Sequence, residues 1–294
     1  MCYTIIKVLV KEVIPLEITH ESLIGSFEQK QKLVSQFNLI HDDFFAVVMQ
    51  DKPALETTLR TLLEKKDLIV TEVRIQYSIR NLVSHSVILD VLAEDSTGKL
   101  YNIEVQVKNE DDYQKRSRYN QANIDTSFLR KGKDYSELPE VYIIFITSFD
   151  IFKRNDVCYK IDRVLSGYDE VVDNGVHEYY FYTKANDGSE IAKLLHYFEH
   201  TDVNNSDFGA LSDAVKLYKT TEEGVSHVCD EVRKYGDKRA AYAAERAEAK
   251  AKVESVANLI QNTNCTLEQA LKSLGITPVQ YQRYVDLVNE RMSA

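Results

Sequence analysis

Two carboxylates set inside apolar, strand-like runs constrain this chain more than any other feature. Asp90 interrupts Val87-Ile88-Leu89-Asp90-Val91-Leu92, and Glu104 sits in Leu100-Tyr101-Asn102-Ile103-Glu104-Val105-Gln106-Val107. A carboxylate taken out of water is costly unless it is paired, hydrogen-bonded or bound to a metal. Between the runs lies Glu94-Asp95-Ser96-Thr97-Gly98-Lys99, rich in turn formers and with glycine where a positive φ is easiest. The two runs therefore read as a β-hairpin. The second strand alternates, with Tyr101, Ile103, Val105 and Val107 on one face and Asn102, Glu104, Gln106 and Lys108 on the other. Pairing across the hairpin brings Asp90 beside Glu104. Hard cations such as Mg2+ take oxygen ligands, usually one or two carboxylates with waters and a substrate phosphate. The same spacing also admits a plainer reading, a capped turn or an ion pair with a nearby arginine.

The 294 residues suffice for one large domain and a smaller one. No segment is long and apolar enough to span a membrane. The opening Met1–Val10 lacks a basic start and a small-residue cleavage site, so it does not read as a signal peptide. Cys2, Cys158, Cys229 and Cys265 are far apart and form no zinc or disulfide pattern. Reduced, structural thiols and a cytoplasmic location are the expectation. A net charge of −10 argues against non-specific coating of nucleic acid. Local charge differs: between Tyr113 and Lys133, Lys115, Arg116, Arg118, Arg130, Lys131 and Lys133 face Asp125 alone. A basic stretch directly after an acidic strand suits a site that engages a phosphodiester; a solvated helix face is the alternative.

Three parts are expected along the chain: an N-terminal extension over 1–37, an α/β domain over 38–205 and a helical C-terminal region over 206–294. Helical spacing runs from Asp42 to Lys66, with Pro53 opening a second helix. Residues 69–77 read as a strand, 112–129 as a helix and 189–199 as another. Val141–Ile146 is a continuous apolar run typical of a strand buried on both faces. Residues 157–183 read as irregular strands and turns. Residues 237–252, mostly Ala and charged side chains, read as a helix with little core of its own, a connector or a self-association surface. Thr266 with Gln269 forms a capping box and Gly275 a C-cap. The stretch 266–292 has the outline of a helix-turn-helix. Asp286 and Glu290 offset Arg283 and Arg291, which favours a plain helical hairpin.

Asp90 followed by Glu104-Val105-Gln106 resembles the core motif of the PD-(D/E)XK nucleases. The surrounding text sharpens the likeness: Asp42-Asp43-Phe44-Phe45, Ser86–Val91, Tyr101–Gln106, Arg116-Ser117-Arg118-Tyr119, Gly132-Lys133-Asp134-Tyr135 and Leu138–Ile146. Together, over about 38–220, these resemble the PD-(D/E)XK nuclease family transposases, also called the Rpn family of recombination-promoting nucleases. The resemblance implies a restriction-endonuclease-like α/β fold, a central mixed sheet flanked by helices, here with an α-helical C-terminal extension. It implies divalent-metal-dependent hydrolysis of DNA phosphodiesters, linked to recombination or mobile elements. In that scheme Asp90, Glu104 and the main-chain carbonyl of Val105 hold Mg2+, joined by Asp42 or Asp43. Lys115, Arg116, Arg118 and Tyr119 face nucleic acid.

Departures from the family pattern bear on turnover. Position 106 is Gln rather than Lys; an amide can orient a water but is no general base. Lys108, two residues on along the same strand face, and Lys115, on the next helix, are the lysines that could supply the missing charge, with a surface role as the alternative for each. Asn120 stands where a second Tyr is usual, and His85 where an Arg is frequent. The alternative is a catalytically weak or inactive relative that binds DNA or a partner through the same cleft. Enzymes that cut both strands commonly pair two active sites, so a homodimer is a further expectation.

Overall fold

The computed structural model describes residues 20–79, 87–109, 112–263 and 265–278, with four further positions between 281 and 288. Cys2, His85, and Arg283, Asp286, Glu290 and Arg291 of the expected C-terminal hairpin lie outside them. The chain packs as two compact units, one ending at Arg233 and the other taking up the chain from Lys234.

The first unit opens with helices α1 (His20–Ile24), α2 (Phe27–Val34), α3 (Asp42–Val48) and α4 (Lys52–Leu62). Ser26 and Gln29 form a capping box on α2, which packs against α7 (Ala210–Thr220). The Asp51 side chain accepts the Ala54 N–H at the start of α4, with Pro53 in the first turn. Pro53 and the cap explain why the helical spacing over 42–66 is two helices rather than one.

Strands β1 (Val70–Ile79), β2 (Val87–Asp95) and β3 (Leu100–Gln106) form an antiparallel meander. Helix α5 (Tyr113–Phe128) then crosses to β4 (Val141–Thr147), which lies parallel to β3. Two short strands, β5 (Cys158–Ile161) and β8 (Val176–Tyr182), complete a six-stranded sheet of order β1-β2-β3-β4-β8-β5. A two-stranded ribbon of β6 (Val164–Leu165) and β7 (Glu170–Val171) lies between them in sequence. Every residue of β4 is buried. Successive side chains of a strand point to opposite faces, so both faces of the sheet are covered. Helix α5 packs on β1, β2 and β4; α3 packs on β1, β2 and β3. The sheet is mixed and flanked by helices, the restriction-endonuclease-like arrangement expected of the sequence. Helix α6 (Glu190–Glu199) follows β8, and α7 packs on α3 and α4.

In the second unit, the C-terminal half of α8 (Glu222–Thr263) and α9 (Leu267–Ser273) share a small core. Val256, Ala270, Leu271 and Val288 are at its centre. Thr266 and Gln269 cap α9 reciprocally, and Gly275 takes a φ of +70° just past its end. Cys158, Cys229 and Cys265 are free thiols. Among the described residues no helix is long and apolar enough to cross a membrane.

Candidate active site

The turn between β2 and β3 sets the register of the two carboxylates. Asp95 Oδ1 accepts the N–H groups of Thr97 (2.8 Å) and Lys99 (3.1 Å), and its Oδ2 accepts the Tyr101 hydroxyl at 2.7 Å. Gly98 follows with φ +82°, a conformation glycine adopts at little cost. The ladder then pairs Glu94 with Leu100 and runs inward to Val91 with Ile103. The next positions in this register are Asp90 and Glu104.

There side chains take over from the backbone ladder. Val105 N–H donates to Asp90 Oδ2 at 3.4 Å, and Asp90 N–H donates to Glu104 Oε1 at 3.4 Å. Each carboxylate thus caps a main-chain group of the opposite strand. Asp90 retains 8% exposure and Glu104 none. Both ionised forms are disfavoured. Burial pushes the Asp90 carboxyl well above the usual range, and the like charges of Glu104 and Asp42 add to this. Burial likewise raises Glu104, against the opposing pull of Arg116, Asn102 and the Asp90 N–H.

Helix α5 supplies the counter-groups. Asp112 accepts the Lys115 N–H and starts the helix. Residues 113, 116, 117, 120 and 124 then follow one helical face towards the sheet. Arg116 Nη2 lies 2.7 Å from Glu104 Oε2, and its guanidinium sits 5.9 Å over the Phe145 ring. Asn120 Nδ2 donates to Asn102 Oδ1 at 3.2 Å and to Glu104 Oε1 at 3.4 Å. Asn102 Nδ2 donates to the same Glu104 oxygen at 2.9 Å. Ser117 Oγ donates to Glu178 Oε2 at 2.7 Å.

Of the residues singled out in the sequence, Asp90, Glu104, Val105 and Arg116 meet in one cluster. Asp42 stands at the start of α3, where its Oδ1 accepts the Asp43 N–H at 2.9 Å, and its charge is felt at Asp90. Asp43 is buried. Gln106 is half-buried at the end of β3, its carbonyl accepting the Ser148 N–H at 3.1 Å. Arg118 and Lys115 are exposed, and Lys115 Nζ pairs with Asp112 at 2.8 Å. Tyr119 is half-buried, as is Lys108, whose carbonyl accepts the Tyr113 hydroxyl. Three contributors escaped sequence reasoning: Gln76, whose Nε2 donates to Asp90 Oδ1 at 3.4 Å, and the Asn102–Asn120 pair. The available signal was two polar residues at i and i+2 on an otherwise apolar strand.

The donor set suits a hard dication: two buried carboxylates of like charge, with main-chain oxygen at the same strand end. Among the described residues no three His, Cys, Asp or Glu side chains are clustered to hold a metal by themselves. Any cation held here would complete its shell with main-chain oxygen and water.

A mixed sheet flanked by helices, with Asp on one strand and Glu-x-Gln on the next, resembles the core of the PD-(D/E)XK nucleases. Residues 43–166 match the family model described as PD-(D/E)XK nuclease family transposase. The matched span contains Asp90, Glu104, Gln106, Arg116, Arg118 and Tyr119 and begins one residue after Asp42. The family resemblance therefore holds over this segment. No curated protein and no solved structure matches the chain.

Proposed function

We propose that this protein is a divalent-metal-dependent DNA endonuclease acting in recombination or mobile-element biology. The observation that carries the reading is the burial of Asp90 and Glu104 against each other; among the described residues, Glu104 alone of the two has a cation at ion-pair distance, Arg116. Excess buried negative charge is what a divalent cation offsets. Asp90, Glu104 and the Val105 carbonyl would hold that cation, with Asp42 at the edge of the set. When bound, Mg2+ supplies Lewis-acid polarisation of the phosphate and a more acidic water.

The chain's own groups have separate tasks. Asn102 and Asn120 fix Glu104 Oε1, which leaves Oε2 to Arg116. Arg116 pairs with Glu104 and acts electrostatically on Asp90, and takes the electrostatic role that Lys would have at position 106. Its side chain keeps 29% exposure, so it can meet a phosphate as well as Glu104. The Gln106 amide can orient a water without taking its proton. Arg118 and Lys115, on the exposed side of α5, suit the backbone of DNA further from the scissile bond.

A second reading has its own support. Gln106 brings no charge, and the Glu104–Arg116 pair is already closed; both favour a relative that binds DNA without cutting it. Plasmid nicking by the full chain in Mg2+, with and without EDTA, decides between them. Metal-dependent nicking lost in Asp90→Ala and Glu104→Ala is the expected result. Binding of DNA without nicking in Mg2+ or Mn2+ would replace the nuclease reading with the second one.

A further inference from the structure

Gln76 is a buried polar residue in the interior of β1 with a φ of +47°. A side chain bearing a Cβ adopts this left-handed conformation at a cost, and such residues persist where the surroundings over-determine them. The β1–β2 ladder pairs Ile75 with Val91 and Tyr77 with Leu89. Gln76 is therefore opposite Asp90. Its amide donates to Asp90 Oδ1.

The sheet changes face at this same point. Ile79, Leu89 and Leu92 belong to one apolar cluster, with Tyr77 and Val87 packed against it. In an unbroken strand, residues 89 and 92 would point to opposite faces. The reversal falls between them, at Asp90, and the left-handed residue of β1 falls at its cross-strand partner. A local irregularity of this kind bends a strand and re-aims a side chain. On the other side of β2, the ladder to β3 stops at Val91 and the carboxylates begin to bond main-chain N–H groups.

We infer that Gln76 is a positioning residue for Asp90: its left-handed backbone lets β1 follow the reversal in β2, and its amide holds one carboxylate oxygen while the other faces Val105. The inference rests on the reading of Asp90 as a metal ligand. Gln76 acts on that ligand and touches no substrate.

The test uses the full chain and Mn2+ as probe, read by electron paramagnetic resonance of the free ion, beside thermal unfolding of metal-free protein. Gln76→Gly keeps the left-handed backbone without strain and removes the amide. Gln76→Asn tolerates the same φ but carries an amide one methylene short. Both are expected to bind Mn2+ about tenfold or more weakly, the range typical of groups that orient a metal ligand. The metal-free Tm of Gln76→Gly is expected to stay level or rise. Wild-type Mn2+ affinity in both variants overturns the inference while leaving Asp90 as a ligand. A drop in metal-free Tm that tracks the lost affinity in both variants makes Gln76 a packing residue and also overturns it. If Asp90→Asn does not abolish Mn2+ binding by the wild-type chain, the metal reading fails and this inference fails with it.

Discussion

Arg116 reaches across from α5 to Glu104, Nη2 to Oε2 2.7 Å, and closes an ion pair whose carboxylate is wholly buried. The pair partly offsets the burial of Glu104, while Asp90 faces the negative charges of Glu104 and Asp42, with Arg116 opposing them from further away. The site is thus electrostatically lopsided: Glu104 is partly offset by Arg116 and three hydrogen-bonding neighbours, and Asp90 is the more strongly disfavoured as an ion. Its stability and its chemistry should respond in opposite directions to changes at these two positions.

Arg116→Ala leaves Glu104 buried without its counter-charge. Removing one partner of a buried pair costs about 3–5 kcal/mol, and the partial exposure of Arg116 places the expected loss at the lower end. Adding Glu104→Gln to the variant removes the orphaned charge and should recover most of that loss. Urea unfolding of the wild type, the two single variants and the double variant measures the coupling. Simple additivity of the two single changes would mean that the ion pair contributes nothing.

Asp90→Asn should do the reverse. Asn keeps one acceptor, for the Val105 N–H, while its own NH2 faces a Gln76 amide turned to present its oxygen, and it carries no charge to bury. Burial and the neighbouring negative charges disfavour the ionised form, so the metal-free variant should be more stable than the wild type at neutral pH. It should also lose divalent-metal binding and DNA cleavage. A metal-free Tm below that of the wild type would show that Asp90 is stabilising as it stands and contradict the strained-ligand picture.

Much of this arrangement is legible in the sequence, because local chemistry encodes it. The doubly buried β4 follows from its unbroken apolar run. The Asp95–Lys99 turn and the alternation of β3 follow from turn residues and a period of two. So do the reciprocal caps on α9. The pairing of Asp90 with Glu104 follows from turn length alone. What is not legible depends on contacts between elements distant in sequence. Asn102 reads only as a polar residue on the Glu104 face of an alternating strand; its burial beneath α5, where Asn120 satisfies it, comes from a contact between distant elements. Gln76 reads as an ordinary strand residue, because nothing in its neighbours announces a left-handed backbone. Residues 157–183 read as irregular strands and turns, and the strands are there, but their order is not legible: β8 pairs with both β4 and β5. Strand order across a sheet is set by packing, which periodicity does not report.

Gln106→Lys tests whether position 106 limits turnover. The residue is half-buried at the end of β3, so a lysine stem can lie along the strand with its ammonium towards the carboxylates. A second cation there supports charge that develops on a phosphate in the transition state. The expected outcome is a rise in single-turnover nicking of about tenfold or more, within the range of one electrostatic contact. DNA affinity, measured by fluorescence anisotropy in Ca2+, should change far less. Equal gains in affinity and rate would assign the lysine to binding alone.

Lys219 offers a pH signature independent of the carboxylates. Its Nζ donates to the carbonyls of Thr201 (3.2 Å) and Ser35 (3.4 Å) and lies 5.4 Å from the centre of the Phe44 ring. Burial pushes its pKa down to about 8, with Asp202 opposing. The unfolded chain has its lysines near 10.4. Below pH 8 both states hold the proton, and the cost of burying the charge is present in full. Between about pH 8 and 10.4 the unfolded chain holds a proton that the native state has shed, so stability rises with pH across that window. The full effect is about 3 kcal/mol, from the distance between the two values. Lys219→Met removes the titration. The stability of wild type relative to Lys219→Met, from urea unfolding at pH 7 and pH 10, should therefore shift towards the wild type by roughly 2 kcal/mol or more. Using the difference cancels the tyrosines and cysteines that titrate in the same range. A difference that stays flat from pH 7 to pH 10 would mean that Lys219 keeps its proton in the native state, held by the two carbonyls more firmly than burial opposes it.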